Sequence, residues 1–136
     1  MTPTLKYILA VVAGIVLGSA VNMGIITPSP SLIPPPEGID MTTLEGLKEA
    51  LPLMQPKHFI MPFLAPAIGT YIGAFTAFKI ASFHNMRAAL TIGAFFLIGG
   101  VMNIIMLPGS PVWFTILDVA VAYLPMAWLG GKLAER

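Results

Sequence analysis

The sequence predicts an all-α fold, a polytopic membrane protein of four transmembrane helices with a short amphipathic helix in the long loop between the first two. Three observations predict it. Of the 136 residues, 57% are hydrophobic and 10% charged, whereas soluble domains carry about 25% charged residues. Mean hydropathy is +0.87. Four stretches, 7–26, 59–78, 88–107 and 112–131, each supply the ~20 apolar residues that a bilayer crossing needs. What remains lies mostly in one loop, 27–58, so residues 1–136 read as a single helical bundle.

The first span reads as a retained helix. It is longer than the 7–15-residue core of a signal peptide, and "SAVNM" is a poor small-residue cleavage site. Ala10, Gly14, Gly18 and Asn22 recur every four residues, the small-xxx-small spacing that lets helices approach closely in lipid. Loop 27–58 is too long for a simple connector. Its first half, "TPSPSLIPPPEGID", is expected to be extended, because proline fixes φ and removes an N–H donor. Its second half, "TTLEGLKEALP", predicts a short helix. Thr42 and Glu45 stand at capping-box spacing, Leu44, Leu47 and Leu51 share one face, Glu45, Lys48 and Glu49 form the polar side, and Pro52 stops it. So short a helix binds a membrane weakly by itself, and it is expected to rest on the bundle.

In the second span Pro62 falls in the first turn, where it is tolerated, and Pro66 deeper, where it should kink the helix. Ala65, Gly69, Gly73 and Ala77 repeat the stripe of the first span. The third span carries Ala89, Gly93, Gly100 and Asn103 less regularly, and "LPGSP" (107–111) makes a tight turn into the fourth. There Pro125 frees the carbonyl of Val121, one turn beyond Asp118. Trp113 and Trp128 stand near opposite ends, as belt residues do. The stripes serve packing within the chain or self-association, and a homo-oligomer is expected because four helices enclose little space.

Charge sets the expected orientation. Lys6, Lys79, Arg87, Lys132 and Arg136 fall on one side and Lys48 and Lys57 on the other. The positive-inside rule then gives N-in and C-in, with loop 27–58 facing outward.

Several chemistries are disfavoured. A net charge of +1 is too small to suggest a nucleic-acid partner. With no cysteine, thiol catalysis and thiolate metal sites are excluded. There is no HExxH, nucleophile elbow, phosphate-binding glycine loop or pair of intramembrane acids. Neither a cofactor nor a metal is expected. Met102 and Met106 alone make no copper pathway, and His84, in "SFHNMR", is expected to be solvated or lipid-facing.

The candidate site is polar and lies toward the loop end. Asp118 is the single ionisable acid or base in the four spans, and a charged carboxylate in hydrocarbon costs on the order of 2.5 kcal/mol or more. At ~1.5 Å per residue it lies about 10 Å below the outer end of its helix. Asn22 and Asn103 each lie about one turn from the outer end of theirs. His58 opens the second span on the same side, and Glu37 and Asp40 sit in the loop above. These residues form an expected pocket, with Asp118, Asn22, Asn103 and His58 lining it and Glu37 and Asp40 in a lid. Asp118 as a structural fastener between helices is the plain competing reading.

Four segments, "GSAVNMGII", "IPPPEGID", "PKHFIMPFLAPAIGTYIGAF" and "GAFFLIGGVMNIIMLPGSPVWFTILDVAVAYLPMAWLGGKLA", resemble a group of small four-span bacterial inner-membrane proteins. The resemblance implies a multi-pass protein of that membrane and brings no activity, cofactor or site residue with it. The expected function is non-enzymatic: binding or passage of a small polar solute or ion, or service as a subunit of a membrane assembly. The alternative is a small membrane-embedded enzyme acting on a lipid headgroup at the outer face.

Overall fold

Thr2 starts the first helix, α1 (Pro3–Ile26). Its hydroxyl accepts the Leu5 N–H at 3.1 Å, and Pro3 takes the first position, where its missing N–H is not needed. The computed structural model describes residues 2–40 and 42–136. Where the proline-rich stretch was expected to be extended, one helical turn forms instead, α2 (Ser29–Leu32). Pro28 and Pro30 fall at the start of that turn, where a fixed φ suits a helix. Gly38, at φ +79°, then reverses the chain in a conformation that costs other residues energy.

The loop helix α3 (Leu44–Ala50) begins one residue later than its capping-box pattern suggests. Thr43, not Thr42, is the cap, and its hydroxyl accepts the Gly46 N–H at 3.0 Å. Thr42 is held elsewhere: its N–H donates to the Asp40 carboxylate at 2.9 Å, and its hydroxyl donates to the same oxygen. This local turn competes with helix initiation, as Asx turns do. Pro52 lies in a 3₁₀ turn, Leu51–Leu53, and a second such turn, Pro56–Phe59, leads into α4 (Ile60–Ile80).

The turn from α4 into α5 (Asn85–Met106) is closed by a side chain. Asn85 Nδ2 donates to the carbonyls of Phe78 and Ala81 at 2.6 and 2.7 Å, filling acceptors that the end of α4 leaves free. His84 adopts the left-handed conformation there, φ 50°. At the far end Gly109, at φ +113°, makes the turn into α6 (Val112–Val121). The fourth span is not one helix. It breaks at Ala122–Tyr123 and resumes as α7 (Leu124–Glu135).

The protein is therefore all-α, with four helical runs among the described residues long and apolar enough to cross a membrane: Pro3–Leu32, Pro56–Ile80, Asn85–Met106 and Val112–Glu135. Their outward surface is apolar, with Ile8, Val16, Ile98 and Ile105 all exposed, as lipid-facing residues are.

Packing rests on small residues. A Cβ added to Gly14 would lie 2.7 Å from the Gly73 carbonyl oxygen, and one added to Gly73 would lie 2.6 Å from that of Gly14. Gly18 and Gly69 stand in the same reciprocal relation at 2.7 Å. Helices α1 and α4 thus run antiparallel with their backbones touching, and fully buried Ile92 of α5 wedges beside them. Helix α7 packs on α4 and α5. Gly93 lies against Ala127, and Gly130 against the Tyr71 carbonyl. The core is a seam of alanines, among them Ala10, Ala74, Ala77, Ala88, Ala89 and Ala127.

Candidate functional site: a buried carboxylate at a broken helix

The break follows from Pro125. It lacks the N–H that the Val121 carbonyl would accept in a continuous helix, and its ring crowds that carbonyl. Pro125 instead takes the second position of α7, a place that tolerates it. Tyr123, at φ −112° and ψ −82°, is the residue that leaves helical geometry. The ladder resumes with the Ala127 N–H donating to the Tyr123 carbonyl at 2.9 Å.

Asp118 lies one turn before the break and is buried, 6% exposed. Its Oδ2 accepts the Tyr123 hydroxyl at 3.2 Å. Among the described residues, its Oδ1 is buried without a hydrogen-bond partner. Buried carboxylate oxygens are normally satisfied, so this vacancy demands an explanation. The Thr70 hydroxyl of α4 is likewise buried and unpartnered. It stands three residues from Ala67 on the same helical face, and Ala67 packs with Ala122 and Tyr123 of the break. A proton or a small hard cation is the species an unshared carboxylate oxygen accepts.

Tyr123 is the partner that sequence reasoning missed. In a continuous helix, residues five apart do not face each other, so Asp118 and Tyr123 meet only because the helix breaks between them. Gly100 of α5 completes the arrangement, since a Cβ there would overlap the Tyr123 hydroxyl. A glycine facing a tyrosine across two spans was the available signal.

The other expected site residues are placed apart from this hydrogen bond. Asn22 is half-buried on the α1 face toward α4, where its Cβ would lie 3.2 Å from a Cβ on Gly69. Asn103 is exposed on α5. Among the described residues, neither asparagine hydrogen-bonds to Asp118, which receives its bond from Tyr123.

His58 belongs to a second feature, a cavity of about 260 Å³ beneath the loop. Its Nδ1 accepts the Gln55 N–H at 2.8 Å, and its Nε2–H donates to the Pro34 carbonyl at 3.0 Å. His58 therefore fastens the loop to the start of the second span. Glu37 and Asp40 are exposed in that loop and do not line the cavity. The two hydrogen bonds from Thr42 hold the Asp40 carboxyl below its ordinary range. Among the described residues, no three His, Asp or Glu side chains converge on one point.

Comparison with protein-family models, with curated proteins and with solved structures finds no match to this chain.

Proposed function

We propose that the protein binds or passes a small cation, a proton or a monovalent metal ion, at Asp118, and that it does so without catalysing a reaction. One observation carries the reading: the buried Asp118 Oδ1 has no partner, beside a break in a membrane-spanning helix. Discontinuous helices recur where transporters hold their coupling ions, and intramembrane carboxylates mark ion and proton pathways. A purely structural Asp118 would be expected to use both oxygens, because interhelical hydrogen bonds contribute only about 0.6 kcal/mol each on average.

The proposed setting is the bacterial cytoplasmic membrane. Both termini and the short 81–84 turn are proposed to face the cytoplasm, from the five-to-two distribution of Lys and Arg between the two ends.

The test is thermal unfolding of detergent-purified protein across pH and across Na⁺ and K⁺ concentrations. A ligand that binds only the folded state raises its stability with concentration. The wild type should show such a dependence, and Asp118→Asn should fold yet lose it. An identical response in the two proteins would exclude the site.

Self-association is a second proposal, and Asn103 favours it. This amide is exposed on the outer face of α5, four residues from Gly99, where an added Cβ would meet nothing within 4 Å. A small residue followed by an amide on a lipid-facing surface suits close contact with a second membrane helix. Cross-linking in membranes through Asn103→Cys should trap a dimer. A wholly monomeric product would count against it.

A further inference from the structure

We propose that the cavity beneath the long loop is a binding site for a single aliphatic chain of a lipid. It is walled by the end of α1 at Ile26, by Leu47 of the loop helix and Leu51 of the 3₁₀ turn that follows it, by Met54, and by Phe59 and Phe114 at the starts of the second and fourth spans. This cavity lies apart from Asp118, which does not line it.

Its chemistry offers water few partners: His58, Ser29 and Ser110 carry the hydrogen-bonding side-chain groups of its lining. A buried water needs two to four polar partners. Both ring nitrogens of His58 are already engaged, with Gln55 and Pro34. The Ser110 hydroxyl turns back to the Leu107 carbonyl at 3.4 Å. Apolar cavities of this kind stay dry and take up apolar molecules, and an unfilled one loses packing in proportion to its volume. At roughly 30 Å³ per water-sized group, 260 Å³ holds a run of about nine methylenes. That is below the size of most drug-like ligand sites and fits one chain rather than a ring system.

Position argues for a lipid source. Trp113 packs edge-on against Phe59 at 5.5 Å while remaining 48% exposed, the placement of a residue at headgroup level. Lipid chains begin just below that level, so the cavity mouth lies within their reach.

The test is native mass spectrometry of protein released from detergent after incubation with dodecanoic acid or, separately, with a diacyl phospholipid. The wild type should retain one adduct per chain. Leu51→Trp, which fills the cavity, should reduce retention at least tenfold, and Met54→Trp, three residues along the same lining segment, should do the same if the first variant fails to fold. Ile8→Trp on the outer surface and Asp118→Asn should leave it unchanged. An adduct with the free acid alone identifies a fatty acid, and one with the phospholipid identifies a bilayer lipid. Either supports the site. No adduct, or equal retention by the filled variants, overturns it.

Discussion

Among the described residues, Tyr123 supplies the one hydrogen bond that the Asp118 carboxylate receives, and its loss has a calculable consequence. Tyr123→Phe leaves both carboxylate oxygens buried without partners, which should destabilise the protein by about 1–3 kcal/mol in detergent unfolding. Pairing it with Asp118→Leu should recover much of that loss, because removing both partners is far less damaging than stranding one. His84 offers the opposite case. Its left-handed backbone costs a non-glycine residue roughly 1–2 kcal/mol, and its side chain makes no capping hydrogen bond. His84→Gly should therefore raise the melting temperature. At Asp40 the folded-state pKa is depressed below the ordinary 3.8 by the bonds from Thr42. The stability this turn contributes is present above that ordinary value and is lost as pH falls through the lowered one. Protection of the Thr42 amide against exchange, relative to its intrinsic rate, should fall in that acid window, and in Asp40→Ala it should be low at every pH. The residue-level site was half legible beforehand. Composition alone singled out Asp118, but its partner depended on a break whose geometry spacing does not encode.

Among the elements, α1 and α4 make the sharpest prediction. Gly73→Ala puts a methyl against the Gly14 carbonyl oxygen, and neither backbone can yield without parting the helices. It should destabilise the bundle by about 1–3 kcal/mol. Gly24→Ala, in the same α1 but with nothing within 4 Å of the added Cβ, should be neutral or stabilising by about 0.5–1 kcal/mol. Parallel unfolding measurements on the two variants separate close approach from helix propensity. The spans themselves were readable because about twenty apolar residues in a row leave few alternatives. Their small print was not. Helix α2 forms where prolines suggested extension, and α3 starts at Thr43 because Asp40 captures Thr42. Both outcomes are decided by hydrogen bonds of one or two residues. The glycines of α5 also divide between faces: Gly93 meets α7 and Gly100 meets Tyr123 at the break, while a Cβ on Gly99 would meet nothing within 4 Å among the described residues. The stripe read from the sequence conceals that division, because it joins exposed Asn103 to buried Gly93 and Gly100.

For the whole molecule, the charge distribution predicts that reporter fusions at either terminus read as cytoplasmic and that one in loop 27–58 reads as external. Exchanging Lys79 and Arg87 for glutamine, with lysines added near Lys48, should give mixed insertion. The four-helix plan followed from hydropathy. Its neighbour relations did not, since which helix meets which depends on surfaces brought together only on folding.

The reciprocal glycine contacts carry one mechanical implication. Four carbonyls set against four opposing α-carbons work like a toothed latch: sliding α1 along α4 by one residue would drive side chains into backbone. A piston stroke in that half of the bundle is thereby forbidden. If the protein moves as it works, the pliable part is the stretch between Val121 and Leu124, where the rod of the last span has already been cut.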